Sequence, residues 1–185
     1  MRAPVPRFLL LAALSGCGNP DNLVVGGFGP AVINPVRSAI HAVASVQVNG
    51  SPQQLSVIVL SDSTDLCAKI AAHPDYFHVP SDNFASMLLF TPAGLIGDFF
   101  VGQNNTGNEI VLGAVATDGG TGPLAAYPGY QGGQISMAQF NTNCGGCEAK
   151  GSFDVFVVDP NGGLHEFYGR FKSTFCQGLA SAQLP

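Results

Sequence analysis

The last stretch of the chain constrains its fold most. Phe167, Gly169, Phe171, Ser173 and Phe175 fall on one side of an extended backbone, and Tyr168, Arg170, Lys172 and Thr174 on the other. A period of two is the mark of a half-buried strand. The same alternation sets Ala42, Ala44, Val46 and Val48 against Val43, Ser45 and Gln47, and Asn49-Gly50 supplies the residues that a tight hairpin turn prefers. Residues 55–60 read as its partner strand. Asp159-Pro160-Asn161-Gly162-Gly163 turns a strand over 153–158 into the final one. Further strands are expected over 84–90, 95–101, 109–116 and 134–140, between clusters of Gly, Asn and Pro. Seven or eight short strands predict a single all-β domain, an antiparallel β-sandwich or barrel.

One helix interrupts them near residues 64–72. Ser63 is placed to cap a run in which Leu66, Cys67, Ile70 and Ala71 share a face, and His73-Pro74 stops it. The Gly-rich stretch 118–133 is too long for a simple hairpin and reads as a surface or binding loop. The organisation expected is a signal over 1–16, a tether over 17–38 and the β domain over 39–185. Leu23-Val24-Val25 and Ala31-Val32-Ile33 are alternatively short edge strands.

The N-terminal residues carry an address. Arg2 and Arg7 precede an unbroken apolar run from Phe8 to Leu14, a charged n-region and a short h-region. Seven apolar residues cannot cross a hydrocarbon core that takes about 20 in a helix, so the segment reads as a cleaved signal. Leu14-Ser15-Gly16-Cys17 follows at once and resembles the lipobox of bacterial lipoproteins at all four positions. That resemblance implies cleavage before Cys17, acylation of its thiol and new amine, and stable attachment to a membrane by several acyl chains. Gly18 is not the aspartate that favours inner-membrane retention, which leans toward the outer membrane, on its periplasmic or surface side.

Without residues 1–16, five basic residues remain against 12 acidic ones. Arg37, Lys69, Lys150, Arg170 and Lys172 are scattered in sequence, which argues against nucleic acid and against anionic lipid head groups as partners. Charged residues are only 10% of the chain, so its surface relies on uncharged polar side chains.

With Cys17 committed to lipid, four cysteines remain, an even number in an exported chain and three possible pairings. Cys67 lies on the apolar face of the expected helix and Cys176 ends the last strand, which favours joining them and leaves Cys144 with Cys147. The Ser61 to Cys67 segment and the terminal Phe171 to Cys176 strand are similar to those of uncharacterised exported lipoproteins with a β-rich domain, a resemblance that implies no activity.

Cys144-Gly145-Gly146-Cys147 is the one motif that invites chemistry. A redox CxxC starts a helix whose dipole lowers the thiol pKa, whereas this pair sits between strands and reads as a structural disulfide. Zinc would need two more ligands, and no second CxxC or histidine pair at ligand spacing exists. His73 and His78 flank a proline, and His41 and His165 begin strands. His165-Glu166 departs from HExxH because Gly169 stands where the second histidine would be. Asp62 with Asp65, or Asp98 with Asp118, are the carboxylate pairs open to acid–base work, Asp62 and Asp65 being more simply helix-start residues. Thirteen phenylalanines without tryptophan suit a packed core, or a barrel that holds an apolar ligand. The expectation is a membrane-anchored binding or envelope-structural module with no catalytic, cofactor or metal site. The alternatives are a lipid carrier in a barrel and an enzyme or CxxC redox protein. Protein, glycan and lipid all remain open as ligands.

Overall fold

The computed structural model describes residues 21–27, 32–48, 50–79, 82–102, 109–115, 129–142, 144–158 and 162–184. The signal, the lipobox with Cys17, and most of the 118–133 loop with Asp118 lie outside them. In chain order the elements are β1 (Leu23–Val25), β2 (Ser38–Val48), β3 (Ser51–Ser61), α1 (Leu66–Ala72), β4 (Phe84–Pro92), β5 (Gly97–Phe100), β6 (Glu109–Val115), β7 (Gly129–Phe140), β8 (Glu148–Val158), β9 (Leu164–Phe175) and a 3-10 helix at Gln177–Ser181.

Most of the chain is therefore β with one α-helix, as its alternation predicts. The finer expectation changes in two respects. The strands form one open sheet in the order β5-β7-β8-β9-β2-β3-β4-β6, with β1 added to β9. Its ends, β5 and β6, do not pair with each other, so it is not a barrel. Nor is it purely antiparallel, because β2 meets β9 in parallel at Ile40↔Thr174 and His41↔Phe175. The rest of that edge of β9 is already taken: β1 pairs with Tyr168–Arg170, and the Asn22 side chain accepts the Lys172 backbone N–H at 2.7 Å.

Two apolar clusters organise the sheet. The first joins Ile58 and Leu60 of β3 and Met87 and Leu89 of β4 to Ile135, Phe153, Val155, Phe167 and Phe171 of β7, β8 and β9, so both halves of the sheet bury one face in common, an arrangement that fits a sandwich. The second lies on the other face of β2, β3 and β4, where Leu66 and Ile70 of α1, Tyr76, Phe77 and Leu179 cover Val57, Val59, Phe84 and Leu88. β3 and β4 are consequently buried on both faces along most of their length. Their sequences, LSVIVLS and FASMLLF, are nearly continuous apolar runs for that reason.

Several boundaries move. β7 starts at Gly129, so residues 129–133 belong to a strand rather than to the Gly-rich loop. β5 covers only Gly97–Phe100, with Leu95 and Ile96 in the connection before it. Leu23–Val25 is an edge strand, whereas Val32 and Ile33 are not in one, although Ile33 and Val36 lie in the first cluster. Within the expected tether, β1 pairs with β9, the Asn22 side chain bonds to Lys172, and Ile33 and Val36 pack into the first cluster.

Ser63 does not cap α1. The N-cap is Asp65, in the left-handed conformation and without a side-chain capping bond. The Leu66 N–H is met instead by Ser38 Oγ of β2 at 3.3 Å, and that hydroxyl donates to the Ser63 carbonyl at 2.5 Å. A serine 28 positions away in sequence supplies the cap, which local spacing does not reveal.

Candidate functional site

The two halves of the sheet differ on their outer sides. α1 and the 3-10 helix cover β2–β4, while the outer side of β5, β7, β8 and β9 carries no such layer among the described residues. Cross-strand register arranges its side chains in rungs. Tyr168, Asp154, Gln134 and Phe100 form one, and Arg170, Ser152, Ser136 and Asp98 the next. Tyr168 and Phe100 are 47% and 57% exposed, three strand spacings or roughly 14 Å apart. Between them the face is polar: Ser136 donates to Asp98 at 2.6 Å and Gln134 to Ser136 at 3.1 Å.

Below these rungs lies a shallow hollow of about 580 Å³ lined by Asp21, Ser136, Ser152, Lys150, Arg170 and Lys172, among others. Glu148 bridges the two lysines, at 2.8 Å from Lys150 and 3.0 Å from Lys172, and Lys172 also stands 3.8 Å from Asp21. Hydrogen bonds from Lys150 and Lys172, with their charges, hold the Glu148 carboxyl below its ordinary range, and the same bond to Glu148 raises Lys172. A second hollow of about 280 Å³ shares Lys172 and is lined by Asn22, Arg37 and Asp65. Four basic residues that are scattered in sequence thus line two hollows that share Lys172, and Arg37 also lies near the Asp62 carboxylate. The signal was present in the sequence: Lys150 with Lys172, and Ser152 with Arg170, are equidistant from the 159–163 turn and become cross-strand partners once that turn fixes the register.

The sequence candidates for chemistry are placed differently. Cys144 and Cys147 are joined in the turn between β7 and β8, with Cα atoms 5.2 Å apart and no helix beginning there. The Cys147 carbonyl accepts the Phe175 N–H at 2.9 Å, which ties that turn to β9. Cys67 of α1 is joined to Cys176, with Cα atoms 5.7 Å apart. Asp62 spends its carboxylate on the Ala85 N–H at 2.8 Å, and burial raises its pKa. Asp98 accepts from Ser136, and Asp118, the carboxylate expected beside it, lies outside the described residues. His73 and His78 are exposed near the end of α1, and His165 lies on β9. Among the described residues no three His, Cys, Asp or Glu stand together so as to hold a metal ion.

His41 is the polar group that sequence reading undervalues. It is fully buried on β2, with Nε2 2.8 Å from the Asn141 carbonyl and Nδ1 3.0 Å from Ser173 Oγ. The carbonyl can only accept, so Nε2 carries the proton and Nδ1 accepts from the serine. Phe140 packs edge-on against the ring at 5.1 Å. Burial lowers the His41 pKa, and its hydrogen bonds offset this in part. Both ring nitrogens are committed to structure, which fits a strand-locking role.

No protein-family model, curated protein or solved structure matches the chain.

Proposed function

We propose that the protein is an exported bacterial lipoprotein, anchored through Cys17 in the cell envelope with a lean toward the outer membrane. Its β domain acts as a non-enzymatic binding or envelope-structural module. The observation that carries the binding role is the unequal cover of the sheet. One half is sealed on its outer side by α1 and the 3-10 helix, while the other presents rungs of Ser, Gln, Asp, Arg and Tyr side chains. A face held rigid by its strands and rich in donors and acceptors suits recognition. The two disulfides suit an oxidising compartment outside the cytoplasm. Among the described residues no helix is long and apolar enough to cross a membrane.

The sandwich reading of the open sheet favours this role over a carrier. Among the described residues the first cluster packs between its halves, and the strand order does not close on itself. The CxxC redox alternative lacks the helix that would activate a thiol.

Two measurements test the proposal. Cys17→Ser should move the protein from the membrane to the soluble fraction, and unchanged fractionation would remove the anchor. Hydrogen exchange of the purified protein with isolated envelope glycan and envelope protein fractions should show protection confined to β7, β8 and β9. Protection over α1 instead, or turnover of an ester, peptide or glycan, would count against a module that binds through this face.

A further inference from the structure

The two disulfides stand in opposite surroundings. Cys176 is 1% exposed and Cys67 packs against the second cluster, so that link is held among the apolar side chains between α1 and the end of β9. The other link closes the short ring Cys144-Gly145-Gly146-Cys147 in the β7–β8 connection, where Cys144, Gly145 and Gly146 are exposed and Cys147 is buried. A Cβ built on Gly145 or Gly146 would meet nothing within 4 Å, so this side of the ring projects into open space. The ring is tied to the domain at its other end. The Cys147 carbonyl accepts the Phe175 N–H at 2.9 Å, and beside it the Asn141 N–H donates to the Glu148 carbonyl at 3.2 Å.

We propose that the Cys144–Cys147 disulfide is a redox modification site, opened by the dithiol of an oxidoreductase that attacks Cys144. The chain supplies the electrophile, so it needs no helix to activate a thiol: the attacking thiolate belongs to the partner. That thiolate bonds to Cys144 Sγ, the Cys144–Cys147 bond breaks, and Cys147 leaves as a thiolate that takes a proton from water. The partner's second thiol gives up its proton, attacks the partner's own sulfur in the mixed disulfide and releases Cys144, which is protonated in turn. Two electrons have passed from the partner's dithiol to this chain, and the partner is left oxidised. The size of the ring selects a dithiol over a monothiol. After the first attack Cys147 stands three positions from the mixed disulfide, at an effective concentration of about millimolar or above, and re-closes the ring before a second free thiol arrives. A second thiol tethered in the same partner competes with it. Position selects the sulfur, since Cys144 is on the exposed side and Cys147 on the side held by Phe175. Opening the ring loosens the turn that carries Asn141, the acceptor of the His41 ring.

Full-length protein carrying Cys17→Ser, which removes the one cysteine outside the two links, is incubated oxidised with reduced thioredoxin and, separately, with glutathione at equal thiol concentration. Samples are quenched in acid, alkylated and mapped by peptide mass spectrometry. Thioredoxin should open Cys144–Cys147 at least about tenfold faster than Cys67–Cys176, and glutathione should open neither in the same time. A thioredoxin that keeps only its attacking cysteine should be trapped on Cys144. Once the ring is open, hydrogen exchange at Cys147, Glu148 and Phe175 should rise by about fivefold while β3 and β4 stay unchanged. Equal opening of the two links, trapping on Cys147, or opening by glutathione as fast as by thioredoxin would each overturn the proposal. Unchanged exchange at those three amides would overturn the loosening of the turn. The outcome is independent of the anchor, whose failure would appear separately, as wild-type protein in the soluble fraction.

Discussion

Lowering the pH from 7.5 to 5.5 should destabilise the protein through His41. The ring is fully buried, its Nε2–H donates to the Asn141 carbonyl, and its Nδ1 accepts from Ser173. Both bonds suit the neutral ring, and a proton on Nδ1 would reverse the second one and place a charge beside Phe140. Burial therefore depresses the folded pKa below the ordinary 6.5, and the unfolded chain takes up the proton first. The contribution of His41 is complete above the unfolded value and is lost as pH falls below it, until the folded ring protonates as well. A ring that stayed neutral in the folded state would cost about 1.4 kcal/mol at pH 5.5, near the limit of one proton per pH unit. Urea denaturation at the two pH values, for wild type and for His41→Gln, isolates the effect because every other titrating group is common to both. Wild type should lose about 1 kcal/mol more than the variant across the interval. Equal losses, or a smaller loss in wild type, would refute the assignment.

Other expectations follow from the packing. Gly169 faces Phe153 across the β8–β9 ladder, and a Cβ there would lie 2.8 Å from the phenylalanine ring and directly against the Leu23 carbonyl of β1. Gly169→Ala should cost about 2–4 kcal/mol in chemical denaturation and speed hydrogen exchange in β1 first. Ser86 Oγ is buried in β4 with no hydrogen-bond partner among the described residues, so Ser86→Ala should be neutral or stabilising by up to about 1 kcal/mol in the same assay. Replacing Cys67 and Cys176 by serine opens a link across 109 positions and should cost about 5 kcal/mol by the chain-entropy model, against about 2 kcal/mol for the Cys144–Cys147 link across three. Thermal unfolding should rank the two accordingly.

Strand alternation made the β content legible, and the last hairpin was readable because the 159–163 turn and the Phe-rich period agree. What escaped depends on distant partners. β3 and β4 carry apolar residues on both faces because α1 and the C-terminal 3-10 helix cover them, so period-two reading captures only half of their burial. Leu23–Val25 was legible only as an alternative to a tether, and it is a strand because β9 has an edge to offer. The parallel β2–β9 contact covers two rungs and has no local signature. At the candidate site the last hairpin already pairs Lys150 with Lys172 and Ser152 with Arg170, but the approach of Asp21, Arg37 and Ser136 to them was not legible, since it arises from contacts between distant segments. His41 shows the same limit: alternation placed it on a strand, whereas its partners Asn141 and Ser173 lie 100 and 132 residues away.

The attachment of β1 also sets how the domain bears load. Under the anchor proposed at Cys17, a pull reaches the described residues first beside β1, which is held by three rungs on β9, by Asn22 and by Val24 in the core. The Cys67–Cys176 link lies deeper along the force path and clamps α1 to the end of β9. Tension should therefore peel β1 before it disturbs the sheet, paying out a short length of chain while the rung-bearing face stays intact. Three residues would thus act as a mechanical fuse between the proposed anchor and the proposed recognition face.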